Sequence, residues 1–448
     1  MTTQAVTPAE WIAAADCVER SPHGDLLIQG HDARSLIEQW GTPLVVHLPD
    51  RVGDNVRIIT NAFSRFFPKM RTYYAIKASY VESHIISALE AGAGLEVMSD
   101  LELSISEAHG IDGENLIVNG FGHTKEFFER IVRHRPAMIT LDSREDIEML
   151  SQVVRSHNAE PVAVGLRVSL STTGQGVLNQ NSKLGFTWED GQFESVLKEV
   201  ISDPAFQLRG LLAHQLSHCV TPATFGAHLD LVLSCMAEIE RNMGFRFEVL
   251  DLGGGFESRL LLAARGVCIE DFAEEAGARL EDFPYPVEVY LEPGRYVAAD
   301  AAVGLTKIVA SKSRSEMVWK IADLGTNFLV PVPDSKFVPI PLREDIGDEL
   351  RMTRLADRTC AEAPISEHML LPSNSEFFAI LNAGAYTSSF SHVWGPALPR
   401  IISMSSGQVR PLTDESKYIE VANLMYGHHI ARTDGRGELH RERAASKA

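Results

Sequence analysis

Short apolar segments recur eight times along the first two thirds of the chain, with stretches of helical spacing between them. Each is rich in Val, Ile, Leu or Tyr and ends in polar or glycine residues, as parallel strands buried on both faces do. The segments are 71–78, 94–99, 115–120, 138–143, 161–169, 208–215, 247–255 and 286–294, and helical spacing is clearest in 81–91, 100–109, 143–157 and 224–243. Eight strand-helix units predict an α/β fold with a closed (β/α)8 TIM barrel, whose functional groups lie at the carboxyl ends of the strands.

The pattern changes after residue 294. Strand-like segments without long helices between them, at 302–310, 317–322, 377–382 and 418–421, predict a C-terminal all-β domain. Segment 25–49 is also strand-prone, so residues 1–47 are expected to pair into that domain. The predicted organisation is therefore a barrel over residues 48–300, a β domain over 301–430, and a flexible tail over 431–448 that is rich in Arg, Glu and Gly.

Composition narrows the classes of function. A chain of 448 residues with 45% hydrophobic content can bury a large core, and its net charge of −19 disfavours nucleic acid or an anionic membrane as partner. The first 16 residues lack a signal-peptide pattern, and no run reaches the ~18 apolar residues that span a bilayer. Five scattered cysteines form no CxxC pair, as expected for a reducing compartment. These features predict a cytoplasmic protein, and His428-His429 lacks acidic or Cys partners at ligand spacing, so no metal is expected.

Candidate chemistry lies at the ends of the predicted strands. Lys77 ends the first strand, where a lysine amine can anchor a cofactor covalently. Gly253, Gly254 and Gly255 end the seventh strand, and their lack of side chains lets backbone N–H groups approach a phosphate. The eighth strand ends in Glu292-Pro293-Gly294-Arg295, which offers a carboxylate for a protonated ring nitrogen and a guanidinium for phosphate.

Three further side chains complete the candidate site. His214, near the end of the sixth strand, can lie flat against a planar ring, and Ser217 follows it as a hydroxyl donor. Arg167 ends the fifth strand. A lysine, a carboxylate for a ring nitrogen and a phosphate cup together predict a pyridoxal 5′-phosphate site. Each feature alone has a structural explanation: His214 as a core histidine, for example, or Arg167 as the partner of a barrel carboxylate.

The ordered motifs resemble those of the fold-type III pyridoxal-phosphate decarboxylases, which include the diaminopimelate, ornithine and arginine decarboxylases and have an alanine racemase-like barrel. The resemblance covers residues 43–386. Besides the glycine run and the EPGR segment, it rests on Tyr74–Ala78, Glu96–Glu102, Gly210–Ser217 and Asn382–Tyr386, although Leu216 stands where the family usually has glycine.

The resemblance implies a role for several residues. Lys77 is expected to form the Schiff base with Glu96 nearby, His214 to stack on the ring, and Tyr386 to help bind the phosphate. It also implies a homodimer with shared active sites. The implied reaction removes the α-carboxylate of an amino acid or an amino-acid-derived intermediate and leaves a carbanion that the cofactor stabilises.

Two departures from the family pattern concern the substrate. The cysteine motif is best matched by Cys360, as proton donor, and Glu362, as substrate contact; a second register places Ser366 and His368 there instead. Val330 stands where diaminopimelate decarboxylases carry an arginine before proline. Without that clamp for a distal amino acid group, the chain resembles a divergent biosynthetic branch.

Two alternatives to decarboxylation are open. The same cofactor also labilises the Cα–H bond, so an amino-acid racemase or epimerase on this scaffold is the first. A non-catalytic pyridoxal-phosphate-binding protein is the second. Sequence does not distinguish Cys360, His214 and Lys77 as the group that returns a proton to Cα.

Overall fold

The computed structural model describes residues 7–171, 182–314, 317–331, 336–343, 349–366 and 368–413. The strand predicted at 418–421, the His428-His429 pair and the tail predicted at 431–448 lie outside the described residues.

The amino-terminal segment contains both helices and strands. Its elements are α1 (Pro8–Ala14), β1 (Val18–Arg20), β2 (Leu26–Ile28), β3 (His31–Asp32), α2 (Ala33–Trp40) and β4 (Leu44–His47). The segment 25–49, predicted as strand-prone, contains the strands β2, β3 and β4 and also the helix α2. The Asp32 carboxylate accepts from the backbone N–H groups of Arg34 and Ser35, and this cap starts a helix that buries Leu36 and Ile37.

The central part of the chain forms the barrel. Its elements are α3 (Pro49–Ser64), β5 (Met70–Ala75), α4 (Glu82–Glu90), β6 (Gly94–Val97), α5 (Asp100–Ala108), β7 (Leu116–Val118), α6 (Lys125–His134), β8 (Met138–Leu141), α7 (Arg144–Ser156), β9 (Val162–Ser169), β10 (Phe186–Thr187), α8 (Gln192–Ser202), β11 (Phe206–Leu212), α9 (Pro222–Met243), β12 (Val249–Asp251), α10 (Arg259–Ala263), α11 (Ile269–Leu280), β13 (Glu288–Leu291) and α12 (Arg295–Ala298). Parallel pairing runs β5-β6-β7-β8-β9-β11-β12-β13 and returns to β5. The circle is closed, and the predicted (β/α)8 barrel is confirmed.

Side chains inside the barrel form layers. The layer nearest the amino ends of the strands is a separate buried cluster of Tyr73, Ile117, Ala137, Met138, Val249 and Tyr290. Because side chains on one face of a strand recur every second residue, the next inward positions belong to a different layer. That layer is mostly polar, and it comprises Ala75, Glu96, Asn119, Thr140, Asp251 and Glu292.

The carboxyl-terminal part forms the predicted β domain. Its strands are β14 (Ala302–Arg314), β15 (Met317–Ala322), β16 (Val338–Pro341), β17 (Leu350–Ala356), β18 (Met369–Pro372), β19 (Phe377–Leu381), β20 (Arg400–Ser405) and β21 (Gln408–Pro411). The long strand β14 pairs with β15, with β19 and, through its first residues, with β4. Strand β4 also pairs in parallel with β20, so a strand from the start of the chain lies inside this sheet.

Two of the contacts that join the β domain and the amino-terminal segment to the barrel are made by Arg51 and by Tyr386. The guanidinium of Arg51 donates to Asp300 at 2.7 Å and to Asp16 at 3.0 Å, and both Arg51 and Asp300 are buried. At the other contact, the backbone N–H of Tyr386 donates to the carbonyl of Ala78 at 2.7 Å. This second contact brings the β domain beside the loop that carries Lys77.

Candidate active site

Lys77 lies just beyond β5, in a single 3-10 turn over Ile76–Ala78. Its side chain is 33% exposed, and its Nζ is paired with Oε2 of Glu96, whose side chain is fully buried. Burial is the largest influence on the pKa of Lys77 and lowers it, but Glu96 and Glu292 outweigh burial and raise that pKa. Lys77 is therefore an ammonium group held in an ion pair with the buried Glu96 carboxylate.

Asn119 connects the two buried glutamates of the site. It follows β7, and its backbone N–H donates to the carbonyl of Val97 at 2.9 Å, which continues the pairing of β7 with β6. Its side-chain Nδ2 donates to Oε1 of Glu96 at 3.1 Å and to Oε1 of Glu292 at 2.5 Å. A continuous chain of contacts therefore runs from Lys77 through Glu96 and Asn119 to Glu292.

Asp251 lies at the end of β12 beside Glu292. One carboxylate oxygen accepts from the N–H of Gly253 at 2.8 Å, and the other is buried without a hydrogen-bond partner in the described residues. Burial, reinforced by neighbouring carboxylates, raises the pKa of Asp251 to about 6 and that of Glu292 well above its ordinary value. Ionisation of these crowded carboxyl groups is therefore unfavourable in the protein alone, and a cation such as a protonated ring nitrogen would favour it.

His214 follows β11 and is held by its surroundings. Its Nδ1 accepts from the N–H of Gly254 at 3.2 Å, so the ring proton of the neutral imidazole is on Nε2. Burial, together with Arg167 and Lys77, lowers the pKa of His214 well below its ordinary value. His214 is therefore a neutral planar ring.

Arg167 points inward from β9. Its guanidinium donates to the carbonyl of His214 at 2.9 Å and lies 3.4 Å from the carboxylate of Asp142. Burial raises the pKa of Asp142 to about 6 despite this contact. Arg167 thus pairs with a barrel carboxylate, which is the structural alternative named in the sequence analysis. Its role in cofactor binding stays a prediction.

The glycines after β12 are required by close packing. A Cβ on Gly254 would lie 2.4 Å from the carbonyl oxygen of Glu292, and one on Gly255 would lie 2.2 Å from that of Leu216. Gly253 and Gly255 have φ of +65° and +85°, which L side chains rarely adopt. The backbone itself therefore forms the surface of the site here.

Arg295 belongs to a cluster next to this glycine run. Its Nη2 lies 3.1 Å from Nε2 of His218, and Nδ1 of His218 lies 2.7 Å from Glu257. Because a guanidinium only donates, Nε2 of His218 accepts and its Nδ1–H donates to Glu257. The sequence analysis missed His218 and Glu257, although His218 directly follows the predicted Ser217.

Tyr386 also lies beside Arg295, and Gly294 packs against Tyr386. Tyr386 has φ of +56°, and the Arg295 guanidinium lies 5.0 Å from the centre of its ring. A Cβ on Gly294 would lie 3.1 Å from Ala78 and 3.4 Å from the Tyr386 hydroxyl. The structure therefore brings Lys77, Gly294, Arg295 and Tyr386 together.

The other predicted residues lie further from this cluster or at its edge. Ser217 is partly exposed in the loop after His214. Cys360 and Glu362 are exposed in the loop after β17, whereas Ser366 of the second register is buried and accepts from the N–H of Leu355 at 3.4 Å. The roles of Ser217, Cys360 and Glu362 stay predictions.

These residues fit pyridoxal 5′-phosphate. Lys77 carries a primary amine that would react with the aldehyde once deprotonated, and Arg295 with the glycine backbone would offer donors for a phosphate. One side-chain oxygen of Asp251 and one of Asn119 are buried and accept no hydrogen bond from the described residues, so a bound group could donate to them. Buried carboxylates of this kind suit the protonated ring nitrogen of that cofactor.

The fold and site define a pyridoxal-phosphate enzyme of the barrel type, and comparison with known proteins agrees. The family model "Pyridoxal-dependent decarboxylase, pyridoxal binding domain" matches residues 54–299, more than half of the chain. The chain belongs to this family, and it is a pyridoxal-phosphate-dependent amino acid decarboxylase.

Curated relatives align over most of their length. Diaminopimelate decarboxylase of Bacillus subtilis is 29% identical over 433 residues, which cover 90% of this chain and 96% of the relative. The diaminopimelate decarboxylase of Methanothermobacter thermautotrophicus is 28% identical and covers 92% and 97%.

Solved structures show the same fold. Diaminopimelate decarboxylase from M. jannaschii, in complex with L-lysine, has a TM-score of 0.77 at 21% identity and covers 91% of this chain and 97% of that one. Lysine/ornithine decarboxylase from Vibrio vulnificus, in complex with putrescine, has a TM-score of 0.66 at 20% identity, with coverage of 83% and 96%.

The described residues were also compared with the requirements of a membrane-spanning helix and of a metal site. None of their helices is both long and apolar enough to cross a membrane. In the same residues, no group of three or more His, Cys, Asp or Glu side chains is arranged to hold a metal ion.

Proposed function

We propose that this enzyme removes the α-carboxylate of an amino acid whose distal end is not a second free amino acid group. The observation that carries the reaction is the continuous contact from Lys77 through Glu96 and Asn119 to Glu292, with Arg295 and the glycine backbone at the other end. In this proposal, these residues serve as an anchor, a partner for the ring nitrogen and a phosphate site.

Each residue has a separate task in this proposal. Bound pyridoxal phosphate supplies an aldehyde carbon that reacts with amines and a protonated ring that accepts the electron pair of a breaking bond at Cα. Glu96 Oε2 holds Lys77 Nζ in place, and that nitrogen has a reactive lone pair once it has lost its proton. Glu292 would hold the ring nitrogen of the bound cofactor, and Arg295 with the glycine N–H groups would hold its phosphate.

His214 provides a flat neutral surface in this scheme and not a charged acid. Its Nδ1 already accepts from Gly254, so only Nε2–H faces other groups. Lys77 and Cys360 are then the candidates that return a proton to Cα. Cys360 and Glu362 are exposed on their own protomer, which supports a homodimer in which they approach the site of the partner.

The substrate is the least constrained part of the proposal. The relatives are named diaminopimelate decarboxylases, but Val330 replaces the arginine expected to clamp a distal amino acid group, and Val330 is largely buried. An apolar side chain there offers no partner for a distal carboxylate. A conjugated amino acid, with its distal amine or carboxylate joined to another group, suits this site better. A cytoplasmic location is also proposed, in line with five free cysteines.

The test is to incubate the purified, cofactor-loaded protein with meso-diaminopimelate, L-lysine, L-ornithine, L-arginine and conjugates acylated on their distal amines. Released CO₂ and the configuration at Cα of the recovered amino acid, by chiral chromatography, are measured separately. We expect CO₂ release, fastest with a conjugate. Inversion without CO₂ would establish a racemase instead, and attachment of the cofactor to Lys77 without turnover of any amino acid would support a non-catalytic binding protein.

A further inference from the structure

Asn119 occupies a position that the established family membership does not explain. It is 6% exposed, and both hydrogens of its side-chain amide are used by carboxylates, one of Glu96 and one of Glu292. The opposite assignment of the amide would place its oxygen against two carboxylate oxygens, so only this orientation is attractive. A single neutral group therefore holds the carboxylate beside Lys77 and the carboxylate beside the ring nitrogen.

The charges of the layer explain why a neutral double donor suits this position. Glu96, Asp251 and Glu292 are all buried within it, and each makes a negative charge on the others less favourable. The Asn119 amide opposes this effect by lowering the pKa of Glu292, which burial, Asp251 and Glu96 raise. A lysine here would add a positive charge that competes with a protonated ring nitrogen, and an aspartate would add to the repulsion.

We propose that Asn119 is a positioning residue that fixes Glu292 for the ring nitrogen and favours its ionised form, while it holds Glu96 against Lys77. The inference deepens the proposed function and rests on the roles given there to Lys77 and Glu292. Asn119 itself touches neither Lys77 nor the reacting bond in this proposal. It acts through the two glutamates.

The closing experiment compares Asn119→Leu, which has a similar volume and no donor, with Asn119→Asp, which has a similar shape and an added carboxyl. Thr140→Val is the matched control, because Thr140 lies in the same layer on the next strand and its buried hydroxyl has no partner in the described residues. Secondary structure and thermal melting of the three apoproteins show whether each variant folds.

The first readout is the absorbance of protein-bound pyridoxal 5′-phosphate against pH, without substrate. Loss of the amide donor destabilises ionised Glu292, so Glu292 keeps its proton to higher pH and the ring nitrogen gains its ionised partner only at that higher pH. We expect the midpoint of the absorbance change to rise by about one pH unit or more in Asn119→Leu and at least as far in Asn119→Asp. Thr140→Val is expected to match the wild type.

The second readout is the split between kcat and KM on whichever amino acid the wild type decarboxylates. We expect kcat to fall by about 10- to 100-fold, the size known for hydrogen-bond partners of metal ligands, with a smaller change in KM. Folded Asn119 variants with wild-type midpoints and wild-type kcat would overturn the inference. A wild type that attaches the cofactor but turns over no amino acid would count against the proposed function alone, since the first readout needs no substrate.

Discussion

The two ends of the barrel interior are built from the same strands but from different kinds of residue. At the amino end, Tyr73 and Tyr290 pack with ring centres 5.0 Å apart in an apolar cluster. Ala75 and Lys77 follow Tyr73 by two and four residues, and Glu292 and Gly294 follow Tyr290 by the same steps. A step of two residues along a strand therefore separates apolar residues that fill the barrel interior from residues that carry charge. We expect substitutions at the first set to change stability and substitutions at the second set to change activity.

The largest effect is expected from Lys77. Lys77→Arg keeps a cation beside Glu96, but a guanidinium stays protonated and forms no imine, so activity should fall by at least ~10⁴-fold, as when other enzymes lose a covalent nucleophile. Borohydride treatment of the cofactor-loaded wild type should label Lys77, and the variant should stay unlabelled. Lys77→Ala should be equally inactive while both remain folded by circular dichroism. Substantial activity in Lys77→Arg would show that charge, and not covalent attachment, is what Lys77 provides.

The opposite end should show the opposite response. Tyr290→Ala removes a fully buried ring, and its cost should be about 3–5 kcal/mol of unfolding free energy, measured by urea denaturation. Tyr290→Phe keeps the ring and should cost much less. Activity per folded molecule should fall far less in Tyr290→Ala than in the Lys77 variants. If it falls as far in well-folded protein, the two ends of the barrel are not separable.

A smaller effect should appear in the pH dependence of stability. The folded-state pKa of Asp251, about 6, lies above the ordinary value of 3.8, so folded protein binds the extra proton more tightly and wild-type stability falls as pH rises from about 4 to about 6. The Asp251→Asn side chain cannot ionise. The unfolding free energy of this variant should therefore fall by about 1–3 kcal/mol less than that of the wild type over this pH range.

The measurement is urea unfolding of the apoproteins at several pH values between these limits. Asp112→Asn, at an exposed carboxylate before β7, is the control and should follow the wild-type profile. Parallel profiles for Asp251→Asn and the wild type would show that Asp251 is not protonated preferentially in the folded state.

The sequence predicted those features that depend on local pattern. The eight strand positions and the barrel followed from apolar segments closed by polar residues, and Lys77, the glycine run and Glu292 were found because each stands at such a segment's end. Helix α2 was missed because its apolar residues are few and its start depends on the Asp32 cap.

Features that depend on contacts across the barrel were not predicted. Asn119 ends the third predicted strand, but a lone asparagine there is common, and its meaning comes from Glu96 and Glu292 on other strands. His218 and Glu257 likewise belong to the candidate site only because they contact Arg295. The spacing of apolar residues in the sequence predicts where a strand ends. Which strand ends lie close enough for their side chains to make contact depends on how the sheet closes.

The place of β4 has a consequence for how the chain is made. During synthesis this strand leaves the ribosome early, yet its partners β14 and β20 begin more than 250 and 350 residues later. Its hydrogen-bonding edges must therefore wait, solvated or shielded by a chaperone, until almost the whole polypeptide has emerged. Such distant pairing slows folding, and a fragment that starts at β14 would have a sheet with its central strand missing.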